Sequence, residues 1–127
     1  MIKFILVGLG GFFGAILRYL ASGFVQNISK SISFPYGTLA VNILGCFLIG
    51  VLSRLGEVKI GMSTEMRLFL MIGFLGSFTT FSTFANETLN LLQDTRFSLA
   101  LINLGFHIFL GLIGVLFGQF LATLIWR

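Results

Sequence analysis

Four long runs without charge constrain the fold of this 127-residue chain more than any other feature. Arg18 is the only charge between Lys3 and Lys30, and residues 31–53, 68–86 and 97–126 carry none. A membrane-spanning helix needs roughly 20 apolar residues, so each run is long enough for one crossing. Barrel strands alternate in polarity over about 10 residues, which does not fit these runs.

We therefore predict an all-α integral membrane protein whose residues 1–127 form a single four-helix transmembrane domain. The predicted helices cover residues 3–26, 37–55, 66–93 and 98–126, and the third is expected to be interrupted. Hydrophobic residues make up 57% of the chain and charged residues 9%, whereas soluble domains are about 25% charged. The first apolar run is too long for the h-region of a cleavable signal peptide.

Several classes of protein are excluded by what the sequence lacks. The eight basic residues are scattered and form no basic stripe, which argues against nucleic-acid binding. There is one histidine, no paired carboxylate and no phosphate-binding loop, so an enzyme is not expected. The single cysteine, Cys46, lies within the second helix and is interpreted as a small packing residue.

The loop charges bear on orientation. A chain with four crossings has both termini on one side of the membrane. That side would also carry more of the basic residues than the opposite side. The first side would hold Lys3, Arg54, Lys59, Arg67 and Arg127, and the second would hold Lys30 and Arg96, with Arg18 near its end of the first helix. This modest bias favours a cytoplasmic N-terminus and leaves insertion in both orientations open. Four helices are too few to enclose a pathway, so an oligomer is expected.

Residues 73–84 hold two glycines, five hydroxyl residues and four phenylalanines within an uncharged run. Gly73 and Gly76 precede the hydroxyls, a combination suited to a helix break, and carbonyls freed there need cations or donors. Phe81 and Phe84 point the same way from a helix, beside a stripe that contains Thr80 and Thr83. Such a phenylalanine pair is typical of a core or a lipid face, yet ring edges are positive and also suit a poorly hydrated anion.

Polar residues in the first two helices leave two interpretations open. Arg18 follows Gly10 and Gly14 on one stripe, where it either attracts anions in a wet cavity or reaches the headgroup region. Asn42 shares a face with Thr38 and Gly45. Because an unsatisfied amide is costly in hydrocarbon, Asn42 must make an interhelical hydrogen bond or line an aqueous path.

The fourth helix carries one polar and small stripe: Asn103, His107, Gly111, Gly114 and Gly118. His107 is either a hydrogen-bonded helix contact or a donor that lines a path, and a lone histidine is not expected to bind a metal. Glu87, one turn past Phe84, either caps a polar track or marks the membrane edge.

Three segments in this order resemble the Fluc fluoride channel family, also called CrcB. They are GGFFGAILRY at residues 10–19, GTLAVNILG at 37–45 and GFLGSFTTFSTF at 73–84, the last followed by Glu87. Each motif alone is moderately specific and the ordered set is highly specific. The resemblance covers essentially the whole chain, including its length and four-helix layout.

The resemblance implies an antiparallel, dual-topology dimer with two parallel fluoride pores and a central structural sodium ion. By the resemblance, the backbone carbonyls of Gly76 and Thr79 from both subunits would bind the sodium ion. Arg18 would be the arginine of the vestibule, and Ser82 and Thr83 would form a track of hydroxyls beside the phenylalanines. The phenylalanine pair would face fluoride with its ring edges. Taken together with the patterns above, the candidate pore residues are Asn42, Thr80, Phe81, Ser82, Thr83, Phe84 and His107.

The expected function is passive export of fluoride from the cytoplasm across the cell inner (plasma) membrane. The expected partners are fluoride, a second copy of the chain and the lipid bilayer, and the charge bias leaves room for a related, oppositely inserted subunit. Gly111 replaces a serine that many family members carry, so a hydroxyl contact to the pore is missing or supplied by water.

Two other functions remain as alternatives. A small four-helix drug/proton antiporter needs a carboxylate deep in the bundle, but the first helix has Arg18 and no acid. A non-transporting assembly subunit would leave the hydroxyl- and phenylalanine-rich segment unexplained.

Overall fold

The computed structural model describes residues 1–57 and 61–125, and these residues form helices joined by short turns. The elements are α1 (Ile2–Ser29), α2 (Tyr36–Glu57), α3 (Thr64–Arg67), a π-helical segment (Leu68–Leu75), α4 (Gly76–Phe78), α5 (Phe81–Gln93) and α6 (Phe97–Ile125). Among the described residues, four stretches are long and apolar enough to cross a membrane, the third being Thr64–Gln93. The prediction of an all-helical chain with four such helices is confirmed. Lys59, Arg127 and residue 126, which entered the predictions above, lie outside the described residues.

The turn between α1 and α2 is held by one side chain, that of Gln26. Its amide nitrogen, Nε2, donates to the carbonyls of Ser31 at 2.6 Å and Phe34 at 3.1 Å. Its Oε1 accepts from the backbone N–H of Gly37 at 3.0 Å, within the first turn of α2. Gln26 thus both orders the loop and caps α2. α1 ends at Ser29, three residues past its predicted end, where Lys30 adopts a left-handed conformation (φ 52°).

Glycines allow α1 to pack at van der Waals distance against the third membrane-spanning stretch, Thr64–Gln93, which we call the third crossing. A Cβ on Gly10 would overlap the carbonyl oxygen of Phe69, and one on Gly14 would overlap that of Phe74. The neighbour is backbone in both cases, so no rotamer change would relieve the overlap. The G-x-x-x-G spacing in the first helix is therefore a packing face, as its sequence predicts.

The small stripe of α6 packs against α2 in the same way. Asn103, Gly111, Gly114 and Gly118 are all buried, and a Cβ on Gly118 would overlap the carbonyl of Phe47. His107 is half-buried on this stripe. The glycines of this stripe therefore allow α6 to pack closely against α2.

The third crossing departs from regular α-helix twice. Leu68–Leu75 is π-helical, and the backbone is extended at Thr79 (φ −91°, ψ 157°) and Thr80 (φ −149°, ψ 110°). The two extended residues separate α4 from α5 near the middle of the crossing. Gly76 itself is helical, with φ −60° and ψ −29°, while Gly73 faces the backbone of α1.

Candidate functional site

A side chain of α2 takes the place of a helical partner at Thr80, the second of the two extended threonines. Nδ2 of Asn42 donates to the Thr80 carbonyl at 3.1 Å, and the Thr80 N–H donates to Oδ1 of Asn42 at 2.8 Å. In a continuous helix that N–H would bond the carbonyl of Gly76. Asn42 therefore makes the interhelical hydrogen bond that was one of its two interpretations. Its amide keeps a second N–H, because a carboxamide nitrogen carries two.

Thr80 also caps α5 through its hydroxyl, which accepts from the Thr83 N–H at 3.2 Å. The same oxygen lies 2.9 Å from the Thr83 hydroxyl and 3.3 Å from the Ser82 hydroxyl. Thr80 is buried, whereas Ser82 and Thr83 are exposed. The three predicted hydroxyls thus form one cluster, of which Thr80 is the inner member.

A cavity of about 400 Å³ lies between α2, the third crossing and α6. Five of the predicted pore residues line it, as do both predicted sodium ligands: Asn42, Thr80, Phe81, Phe84 and His107, with Gly76 and Thr79. The rest of the wall is mostly apolar and includes Cys46. Ser82, Thr83 and Arg18 do not line it. The cavity therefore has a few convergent polar groups on an apolar wall, the usual character of a binding site.

Two aromatic contacts shape this cavity. The rings of Phe81 and Phe84 meet edge to face, with centroids 5.5 Å apart and planes at 63°. Phe81 is 78% exposed on the subunit and Phe84 is 7% exposed. The His107 ring lies 4.1 Å from the Phe84 ring at an interplanar angle of 31°. Phe84 is thus held between the other two rings, while Phe81 has a free face.

A second cavity, of about 380 Å³, opens beside the α1–α2 turn. It is polar, and its lining includes Gln26, Thr38, Glu87, Asp94 and Arg96. The Thr38 hydroxyl donates to Oε1 of Glu87 at 2.6 Å. Oε2 of Glu87 is buried and has no hydrogen-bond partner among the described residues.

The Thr38–Glu87 pair was not predicted, although the sequence contains a signal for it. Thr38 lies one turn before Asn42, and Glu87 lies two turns after Thr80. Residues spaced by four or seven share a helix face, so contact between Asn42 and Thr80 brings the other two together. The contact between Asn42 and Thr80 was not predicted, because a pattern along one helix does not show which residues of another helix it meets.

Arg18 lines neither of these two cavities. Its side chain is half-buried on α1, one turn before Ser22, which lines the second cavity. It makes no hydrogen bond or ion pair within residues 1–57 and 61–125. Gly111, where a serine was expected by resemblance, faces the sulfur of Cys46, at 3.5 Å from the position its Cβ would take.

The candidate cation ligands are backbone oxygens. No group of three or more His, Cys, Asp or Glu side chains in the described residues is arranged to hold a metal ion. At the interruption, however, the Thr80 N–H is bonded to Asn42, and the Thr83 N–H is bonded to the Thr80 hydroxyl. The carbonyls of Gly76 and Thr79 therefore lose the donors that a continuous helix would supply.

The chain matches known proteins over nearly its full length. The family model described as CrcB-like protein, Camphor Resistance (CrcB), matches residues 5–119. A protein named fluoride-specific ion channel FluC from Elusimicrobium minutum is 45% identical over 97% of this chain and 95% of its own length. A namesake from Shewanella frigidimarina is 47% identical over 94% of each chain. One from Methanosarcina barkeri, FluC 3, is 40% identical over 96% of this chain and 91% of its own. The chain is a multi-pass membrane protein and belongs to the CrcB family.

Proposed function

We propose that this chain forms a fluoride-selective ion channel. The observation that carries the proposal is the cavity at the third crossing, where Asn42, Thr80, Phe81 and Phe84 converge on an apolar wall. The names of the relatives support the choice of fluoride. A channel for this ion needs no catalytic group, in keeping with a chain that was not expected to be an enzyme.

The mechanism follows from the hydration of fluoride, a small and strongly hydrated anion. A selective path must replace its water with hydrogen-bond donors and stay narrow. Three kinds of group offer positively polarised hydrogens to the ion. They are the second N–H of Asn42, the hydroxyls of Thr80, Ser82 and Thr83, and the ring edges of Phe81 and Phe84. Each is weak, and a row of weak sites allows an ion to enter and also to leave.

The pore requires a second subunit. In one chain the cavity is open, and Phe81 has most of its ring exposed. An antiparallel partner, identical or closely related, would cover this face and complete two parallel pores. Close packing of Gly10, Gly14 and Gly118 is already used within the subunit, so the open cavity is the better candidate for the contact between subunits.

A sodium ion fits the interruption of the third crossing. The carbonyls of Gly76 and Thr79 lack their helical donors, and neutral oxygen ligands suit a hard monovalent cation. The same two carbonyls from a partner would complete a set of four. When bound, sodium supplies a positive charge that neutralises these oxygens and ties the two subunits together, so its role is structural.

The remaining features suit passive export through the cell inner membrane. Arg18 is permanently cationic and half-buried, and it would raise the local concentration of anions near the vestibule. The chain offers no nucleotide-binding motif through which transport would be coupled to ATP. Fluoride would therefore move down its own gradient, out of the cytoplasm.

Ion efflux from liposomes tests this function. Purified protein is reconstituted, and release of fluoride and of chloride is followed in parallel with two selective electrodes. We expect fast fluoride release with negligible chloride release, independent of any proton gradient. Fluoride release that requires a proton gradient would favour the antiporter. No release from folded protein, alone and with a co-expressed related subunit, would favour the assembly subunit.

A further inference from the structure

A chain of three hydrogen bonds joins α5 to α6, and it begins and ends at Phe84. The Thr88 hydroxyl donates to the Phe84 carbonyl at 2.8 Å and accepts from Nδ2 of Asn103 at 2.9 Å. The backbone carbonyl of Asn103 accepts from Nδ1 of His107 at 3.0 Å. The His107 ring then contacts the Phe84 ring at a centroid distance of 4.1 Å. The circuit thus touches both the backbone and the ring of Phe84.

The chemistry of the acceptors sets the direction of every bond in this circuit. A backbone carbonyl only accepts, so the single hydroxyl hydrogen of Thr88 points at Phe84 and its oxygen is left to accept. Asn103 must therefore turn its NH₂ toward Thr88. Its Oδ1 faces away and is buried with no hydrogen-bond partner among the described residues. By the same argument Nδ1 of His107 carries a hydrogen, which fixes the tautomer of the neutral ring.

Neither Asn103 nor Thr88 touches a cavity. Asn103 is 0% exposed, Thr88 is 6% exposed, and both are absent from the walls of the two cavities. A buried amide with an unpaired oxygen is costly, and an apolar side chain of similar volume would fill the same space without that cost. Stability alone therefore does not explain an asparagine here, whereas orientation does, because hydrogen bonds are directional.

We propose that Asn103 and Thr88 are positioning residues for the ion path, which set the arrangement of the Phe84 and His107 rings without contacting the ion. This inference rests on the proposed function, because it concerns the same cavity. With the circuit intact, α5 and α6 hold the two rings in one arrangement. Without the Thr88–Asn103 bond, His107 keeps its bond to the backbone carbonyl of Asn103, but the link between α5 and α6 is lost. The Phe84 ring can then shift against the His107 ring, and fluoride meets fewer well-placed ring edges.

The decisive variant is the double substitution Thr88→Val with Asn103→Leu. It removes both partners of the Thr88–Asn103 bond and keeps the number and branching of their side-chain heavy atoms. The thermal unfolding midpoint is measured in parallel and should stay close to the wild-type value, because both partners are replaced together by apolar groups of the same shape. Fluoride efflux from liposomes should nevertheless fall about tenfold, the change expected when one hydrogen bond no longer selects the conducting arrangement. Thr88→Ser keeps the hydroxyl and should retain most of the wild-type efflux.

Thr123→Val is a matched control. The Thr123 hydroxyl donates to the Gln119 carbonyl at 2.9 Å and accepts from Nε of Arg54 at 3.0 Å. This is the same arrangement, a hydroxyl bonded to the carbonyl four residues earlier and to a donor on another helix. It lies away from both cavities, so efflux should match the wild type.

Each outcome decides the matter. Wild-type efflux from the double variant would overturn the positioning role, as would a loss of efflux that is matched in Thr123→Val or explained by a lower unfolding midpoint. In both cases fluoride efflux by the unsubstituted protein would leave the proposed function standing. Absence of efflux from the unsubstituted protein would overturn the proposed function and this inference together.

Discussion

At the scale of single residues, the Asn42 side chain both makes interhelical hydrogen bonds and lines a cavity. It satisfies the N–H and the carbonyl of Thr80, where the third crossing leaves helical form, and it lines the larger cavity. The structural role and the proposed role in permeation thus fall on one amide. Substitutions that separate donor from acceptor distinguish the two.

Asn42→Asp and Asn42→Ala test this combination. The aspartate variant keeps an acceptor for the Thr80 N–H but sets a carboxylate oxygen against the Thr80 carbonyl, which Nδ2 contacts at 3.1 Å. The alanine variant leaves the Thr80 N–H unpaired at a cost of about 1–3 kcal/mol, so both variants should unfold at a lower temperature than the wild type. Both should lose most fluoride efflux, because alanine offers no donor and a carboxylate repels the anion. Efflux at the wild-type rate from Asn42→Asp would contradict a role for the amide hydrogens.

Phe81→Ile and Phe84→Ile test the ring edges. Isoleucine keeps an apolar side chain but has no aromatic edge, so each variant should suppress fluoride efflux while the protein remains assembled. Size-exclusion chromatography checks assembly, and liposome efflux checks function. Phe4→Ile, at a residue that is 83% exposed on α1, is the control and should conduct normally. Normal rates in both pore variants would remove the ring edges from the mechanism.

At the scale of elements, the helices and their small faces follow from the sequence, because lipid imposes uninterrupted apolar length and close packing imposes spacing. Gly10 and Gly14 meet the third crossing, and Gly118 meets α2, where the spacings predict contact. The π-helical form of Leu68–Leu75 did not follow. Its residues are as apolar as those of an ordinary α-helix, so their pattern does not distinguish the two forms. The contact of Gly73 with the backbone of α1 is likewise absent from the local pattern.

Gly14→Ala and Gly8→Ala form a matched pair on α1. Alanine favours a helix by about 1 kcal/mol over glycine, so Gly8→Ala, with nothing within 4 Å of the added carbon, should leave the unfolding midpoint unchanged or higher. Gly14→Ala forces the added carbon into the Phe74 carbonyl and should destabilise the protein by about 1–3 kcal/mol. Equal midpoints for the two variants would show that the close approach of α1 is not needed for stability.

At the scale of the whole molecule, the proposed sodium ion links the subunits to the solvent composition. An ion that binds only the assembled protein stabilises it in proportion to the logarithm of its concentration above the dissociation constant. The unfolding midpoint should therefore rise with sodium at constant ionic strength, N-methylglucamine being the replacement cation. A midpoint that is the same in both salts would exclude a structural sodium ion.

The arrangement of the site was predictable in part. Resemblance and spacing selected Asn42, Thr80, Phe81, Phe84 and His107, and the structure brings these together around one cavity. The Thr38–Glu87 bond and the Thr88–Asn103 bond were missed, because each joins residues on different helices. Such pairs depend on how helices rotate against one another, which a pattern along one helix does not determine.

The two extended threonines also have an electrical consequence. A helix carries a partial positive charge at its first N–H groups and a partial negative charge at its last carbonyls, and in an ordinary crossing these poles lie in water at the two membrane surfaces. Here one helix ends at Phe78 and the next begins at Phe81, half-way along the crossing. A positive and a negative pole therefore lie a few ångströms apart inside the membrane, in a run that has no ionised side chain from residue 68 to 86. Ions of both signs would therefore meet partial charges of opposite sign at this depth that come from the backbone alone.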